Sequence, residues 1–152
     1  MTQAATACTG SRLQVAVFRV GKYVCGLMIE RVQEINRSLR LRPVHEAPAY
    51  VRGIINLRGN IVTVIDLRKK LGLVPEPLSP RSRNVIVKQD REMVGLLVDS
   101  VDDIVELDAD TIAPTPAHLA RELGDAFEGV APLGDELLAL LQLEHLLSDA
   151  SP

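Results

Sequence analysis

Short apolar runs punctuated by glycine and proline fill this chain, and most carry the β-branched make-up or two-residue alternation of strands. Val15 to Val20 and Tyr23 to Ile29 flank Gly21-Lys22, which predicts a hairpin closed by a type II′ turn. Val32 and Ile35 continue from Ile29 at a spacing of three, which predicts a short helical turn. Ser38 to Val44 sets Leu39 and Leu41 against Arg40 and Arg42, the pattern of a half-buried strand with a wet arginine face. Ile61 to Ile65 is a strand run. Asp66 then stands as a helix N-cap, Leu67 and Leu71 lie one helical turn apart, and Gly72 is a C-terminal stop. Asn84 to Lys88 and Glu92 to Val98 form a second hairpin pattern turning at Asp90-Arg91, followed by a short strand at Ile104 to Leu107. Pro116 to Leu123, ended by Gly124, and Leu143 to Leu147 predict short helices.

The pattern occurs twice. Val51 to Leu71 shifted by 76 positions falls without a gap on Phe127 to Leu147, so that Gly53 meets Gly129, Leu57 meets Leu133 and Leu67 meets Leu143. Val24 to Ile35 shifted by 69 falls on Met93 to Ile104, where Gly26 meets Gly95, Val32 meets Val101 and Ile35 meets Ile104. Both echoes keep their order. They predict two similar halves in tandem, a pseudo-symmetric pair and not a solenoid, which needs three or more units. Residues 73–83 hold three prolines and read as the linker between barrels at about 13–72 and 84–147. Residues 1–12 read as a disordered tail. Many short strands, regular turns and little helix give a mainly β fold of paired small barrels.

Composition narrows the function. The chain has 152 residues, 47% of them apolar, with no Trp and two each of Phe and Tyr, so the core is aliphatic. A net charge of −3 argues against a general polyanion binder. Two cysteines make no disulfide framework. Cys8 lies in the polar N-terminal stretch, and Cys25 sits in a strand pattern as a buried thiol, which suits a reducing compartment. The N-terminus lacks the basic-then-apolar order of a signal peptide, and no apolar run reaches the ~18 residues of a membrane span. These features predict a cytoplasmic protein.

The chemistry of an enzyme is missing. There is no phosphate-binding loop, dinucleotide fingerprint or nucleophile elbow. His45, His118 and His145 are scattered, and neither cysteine is placed to share a metal with them. Asp99, Asp102 and Asp103 lack the spacing and glycine of a calcium loop and read as a solvated face at a helix start. Arg37, Arg40 and Arg42 read as a wet strand face. No pair of carboxylates, Asp66 and Asp99 included, has a spacing that serves acid–base catalysis. Function therefore lies in surfaces, with no catalytic residue, metal or cofactor expected. A rival is a small-barrel module for single-stranded nucleic acid. It would use the 37–42 arginines with Arg52 and Arg58, but it lacks clustered aromatics for base stacking.

VQEI at 32–35, PAYVRGIINLRGNIVTVIDLR at 48–68 and VGLLVDSVDDI at 94–104 resemble the CheW family of chemotaxis coupling proteins. The resemblance runs from about Leu13 to Leu147. It implies two five-stranded SH3-like β-barrels side by side and a non-catalytic adaptor. The implied partners are a chemoreceptor's cytoplasmic hairpin tip and the regulatory domain of a CheA-type histidine kinase, with ring assemblies possible because that domain shares the fold. Contact with the membrane would be indirect, through receptors. Carried onto matching positions, the resemblance makes Val32, Glu34, Gly53, Arg58, Val101 and Ile104 the candidates for a receptor groove between the halves. Glu34 and Arg58 are expected to form an ion pair that positions the NLRG loop, because an arginine among apolar neighbours needs a carboxylate and its planar fork fits one. The second copy has Asp103 and Gly134 at those places and cannot repeat the pair.

Overall fold

The computed structural model describes residues 12–37 and 40–148. The N-terminal tail expected at residues 1–12 falls outside them, except that Arg12 already begins the first strand. The strands are β1 (Arg12–Val20), β2 (Tyr23–Met28), β3 (Val32–Asn36), β4 (Val51–Leu57), β5 (Asn60–Asp66), β6 (Arg83–Gln89), β7 (Glu92–Val98), β8 (Ser100–Asp108), β9 (Phe127–Leu133) and β10 (Glu136–Leu141). The α-helices are α1 (Leu67–Lys70), α2 (Ala117–Leu123) and α3 (Leu143–Ser148).

Local chemistry made most of these elements legible. Gly21 has φ +57°, as the first central residue of a II′ turn requires, and Asp90 at φ +57° does the same in the sister hairpin. Asp66 caps α1 by accepting from the Arg68 amide at 3.0 Å. The helix stops in a Schellman-type turn, with the Gly72 amide donating to the Lys69 carbonyl and the Leu73 amide to the Arg68 carbonyl. Two expectations fail. Val32 and Ile35 lie in strand β3, and the helical turn is a single 3₁₀ turn just before them, at Ile29–Arg31. β-Branched residues beside an open sheet edge favour pairing over helix. Among the described residues of 38–44, pairing is limited to one bridge, Arg42 with Ile54.

The sheets divide the chain differently from the expected cut at residues 73–83. One sheet has the order β8-β1-β2-β10-β9 and the other β3-β6-β7-β5-β4. The first barrel is therefore built from the N-terminal hairpin and the last three strands, and the second from β3 to β7. Each half of the sequence lends three strands to the hairpin of the other. The proline-rich stretch joins β5 to β6 inside the second barrel. The crossings between barrels are the 3₁₀ turn after β2 and the single residue Asp99 between β7 and β8. A hairpin alone is marginal in water, so each hairpin is completed by strands of the other half.

Under this exchange the two barrels match position by position. The parallel pairing Val64↔Gly95 repeats as Leu140↔Gly26, and Ile35↔Val85 repeats as Ile104↔Ala16. Each barrel closes by one reciprocal bridge. Arg42 and Ile54 exchange bonds of 2.9 and 2.8 Å, and Ala113 and Val130 exchange bonds of 2.8 and 2.9 Å. The longer second copy accommodates α2 between its bridge and β9.

Each barrel has its own aliphatic filling. Val15, Val17, Leu107, Leu138 and Leu140 fill the first, and Ile55, Leu57, Val62, Val64 and Ile86 fill the second. A larger cluster drawn from both, including Phe18, Leu27, Ile65, Leu67, Leu96, Phe127 and Leu143, seals them together. Cys25 is part of it, and burial pushes its thiol up to about 12. In a Cys8→Ser background, labelling of Cys25 by a thiol reagent at neutral pH is expected to follow global unfolding. Fast labelling in the native state would show that the joint between barrels opens on its own.

Candidate functional site

The joint between the barrels is held by charges on the crossings. Asp99 receives the Arg68 Nε–H at 2.9 Å and the Gly21 amide at 2.8 Å, tying α1 to both hairpins. Arg31, the last residue of the other crossing, donates to Glu144 of α3 at 2.8 Å. Arg68 and Glu144 occupy equivalent places in the two copies and each reaches a crossing, although their partners do not correspond: Asp99 is the counterpart of Glu30, and Arg31 that of Ser100. Burial pushes the Asp99 carboxyl up, but the Arg68 and Gly21 hydrogen bonds outweigh it and hold the group below its ordinary value. A folded pKa below the unfolded value means that the stabilisation is present above about pH 4–5. It is lost as pH falls through ~3.9 and below, where the unfolded chain binds the proton first. The side chains of Arg68 and Asp99 are 17% and 35% exposed, so solvent screens the pair in part. Asp99→Asn is expected to cost about 1–2 kcal/mol at pH 7, less than a wholly buried pair, and to flatten the acid limb of stability against pH. Urea unfolding at pH 7 and pH 3.5 checks both.

These contacts overturn the reading of Asp99, Asp102 and Asp103 as a helix-start face. Asp99 is the crossing itself, and the other two lie in strand β8. Asp102 accepts from the Arg19 Nε–H at 2.9 Å, and Arg19 also clasps Glu136 through two bonds of 2.8 and 2.9 Å. No spacing rule linked these residues, which come together only because β1 pairs with β8 and shares its sheet with β10. Arg68 and Glu144 at one repeat position, with opposite signs, were the available clue.

The six candidate residues fall on both barrels. Val32, Glu34, Gly53 and Arg58 belong to the second, and Val101 and Ile104 belong to the first. Val32 and Val101 hold equivalent register positions, opposite Val87 and Phe18, and both are partly buried against the shared cluster. They mark the two sides of the joint. Ile104 is 54% exposed and its counterpart Ile35 is 38% exposed, so β8 and β3 each present an isoleucine to solvent.

Glu34 and Arg58 form an ion pair. The Arg58 guanidinium donates to Glu34, whose other oxygen accepts from Asn36 Nδ2 at 3.2 Å. The Arg58 bond first, then the Asn36 bond, hold the Glu34 carboxyl below its ordinary value. The pair is a surface feature: the Arg58 side chain is 72% exposed and that of Glu34 27%. Arg58 itself sits at φ +51°, a left-handed conformation that L-residues avoid, while the equivalent Gly134 sits at φ +60°. The second barrel therefore keeps an arginine where glycine is the easier choice.

Gly53 presents no side chain and almost no surface. A Cβ there would lie 2.6 Å from the Arg42 carbonyl oxygen, on the seam that closes the barrel. Its role here is as backbone, holding the sheet that carries Arg58.

Two small barrels fused by strand exchange, with a charged surface pair beside an apolar joint, define a binding scaffold. The chain matches the CheW-like domain over residues 14–151 and belongs to that family. It is 34% identical over 139 residues to a probable chemotaxis protein CheW of Rhizobium etli, covering 90% of this chain and 88% of the relative. It is 33% identical over 147 residues to the chemotaxis protein CheW of Rhizobium meliloti, covering 96% and 94%. The crystal structure of the scaffolding protein TtCheW from Thermoanaerobacter tengcongensis superposes with a TM-score of 0.83 at 31% identity, covering 90% of this chain and 93% of that one. The fold is thus the pair of SH3-like barrels of that family, and the protein is a chemotaxis scaffold and not an enzyme.

Proposed function

We propose that this protein couples the cytoplasmic tip of a chemoreceptor to the regulatory domain of a CheA-type histidine kinase, acting in the cytoplasm at receptor arrays. The observation that carries the receptor side is Arg58. It is an exposed arginine held by Glu34 in a left-handed turn conformation, on a turn that the Asn56 side chain braces through the Gly59 amide. An exposed side chain held against backbone preference supports a role in recognition. Val32 and Val101, on either side of the joint, supply the apolar floor of the groove, Ile104 extends it, and Gly53 sets the backbone beneath it.

The work done is a coupling free energy. Receptor and kinase bind different faces, and any difference in affinity for kinase-on and kinase-off arrangements biases the kinase, typically by ~1–3 kcal/mol. The exposed barrel edges are the surfaces left for the kinase, because edge strands invite pairing. Among the described residues no helix is long and apolar enough to cross a membrane, so association with receptors would run through protein contacts.

The nucleic-acid reading loses its aromatics. Phe18 is fully buried and Phe127 6% exposed, Tyr23 packs edge-on against Phe127 at 6.0 Å, and the Lys70 ammonium covers Tyr50 at 4.1 Å. None is left as a stacking platform.

The test is a pull-down on an immobilised receptor hairpin. Kinase should be retained only when this protein is added, and equal retention in its absence contradicts the proposal.

A further inference from the structure

The pseudo-symmetry is broken at one place with a chemical consequence. In the second barrel Arg58 follows Leu57 and is bound to Glu34. In the first, the equivalents are Leu133, Gly134 and Asp103. The arginine is missing and the carboxylate remains. At that place the first barrel has an open cavity of about 460 Å³, lined by Val17, Asp102, Asp103, Val105 and Leu133. Its floor is apolar, because Val17 and Leu133 belong to the barrel's own cluster. Asp102 on its rim is already committed to Arg19. Asp103 is exposed and has no ion-pair partner among the described residues.

Charge sharpens the contrast. Residues 12–31 and 99–148, which build the first barrel, carry 5 Lys and Arg against 13 Asp and Glu, a net charge of −8. Residues 32–98, which build the second, carry 12 against 6, a net charge of +6. The modest overall charge hides two barrels of opposite sign. The field at the first attracts a basic surface and turns away an acidic one.

We propose that this open barrel end is a docking socket for an arginine side chain presented on a turn of a partner protein. The guanidinium stands on Asp103 as Arg58 stands on Glu34, and its methylene stem lies on Val17, Val105 and Leu133. The second barrel is the internal template: at the equivalent strand position a carboxylate, Glu34, binds an arginine supplied by the chain itself. An arginine suits the socket better than a lysine, because a long stem covers the apolar floor while a planar fork meets a carboxylate. The assignment does not depend on the identity of the receptor or the kinase.

The test uses the whole protein and two capped tetrapeptides, Leu-Arg-Gly-Asn, which copies the natural Arg58 turn, and Leu-Ala-Gly-Asn. Backbone amide shifts are followed during titration. The arginine peptide should give saturable shifts centred on Val17, Asp103 and Leu133, and the alanine peptide none there. Gly134→Arg supplies the missing arginine in place. A Cβ at Gly134 meets no atom within 4 Å, and the sister position already accepts arginine, so the variant should fold. It should weaken the peptide by about tenfold or more, the size of one lost charge-assisted contact. Asp103→Asn should do the same without touching the turn. Glu128→Gln, which removes a charge from the same barrel outside the socket, should change little. The proposal is overturned if both peptides give the same shifts or if Asp103→Asn binds as the parent does. It is equally overturned if Glu128→Gln weakens binding as much as Asp103→Asn, since attraction would then be diffuse.

Discussion

Gly53→Ala is expected to unfold this protein at a markedly lower temperature than the parent. The new methyl would stand 2.6 Å from the Arg42 carbonyl oxygen and 3.1 Å from its carbon, both backbone atoms that cannot swing aside. Relief requires opening the Arg42–Ile54 bridge, which closes the second barrel. The backbone at φ +155° adds strain for any side chain. Together these should cost at least about 2–3 kcal/mol, or roughly 5–10 °C in a protein of this size. The sister substitution Gly129→Ala meets the Ala113 carbonyl oxygen at 2.9 Å and the more yielding Ile112 Cγ2 at 3.0 Å. It should be destabilising in the same direction and by less. Thermal unfolding of the two variants side by side checks the order, and a Gly53→Ala protein as stable as the parent contradicts the account of the seam.

Arg58→Gly should show the opposite profile: a fold as stable as the parent or more so, and receptor binding weaker by about tenfold or more. The substitution replaces a left-handed arginine with the residue that the sister turn already uses at φ +60°. The turn does not depend on the side chain, because Asn56 Oδ1 accepts the Gly59 amide at 2.8 Å. What is lost is an exposed guanidinium and the partner that orders Glu34. Glu34→Ala should weaken binding as well, and the double variant should lose less than the sum of the two, since they act as one unit. Additive losses would mean that the two side chains act separately. A large drop in thermal stability for Arg58→Gly would move the pair from recognition to structure.

Much of this was legible because local chemistry decides it. The Gly21 turn, the Asp66 cap, the Gly72 stop and the period-two runs fix backbone dihedrals within a few residues, and the repeat survives because both barrels solve one packing problem. The exchange of strands was not legible. Nothing in Val32–Asn36 distinguishes pairing with β6 from pairing with its own hairpin, since a strand that alternates apolar and polar residues fits either edge. The choice is made at the crossings, where Ile29–Arg31 and Asp99 turn the chain across the joint, and where Arg68 and Glu144 reach back to hold it. The Glu34–Arg58 pair could be expected from motif and charge, but its exposure could not. Apolar neighbours in sequence alternate sides in a strand, so Ile55 and Leu57 point inward while Arg58 begins a turn in solvent. The opposite charges of the two barrels were hidden as well, because the chain sections that compose each barrel are not contiguous.

The most direct measurement of the central claim is kinase autophosphorylation in the presence of receptor, titrated with this protein. A scaffold that couples the two should make kinase activity follow the receptor's ligand state, with control rising as the protein is added and falling when Arg58→Gly replaces it. Kinase activity that ignores receptor ligand at every concentration of the protein would contradict the account.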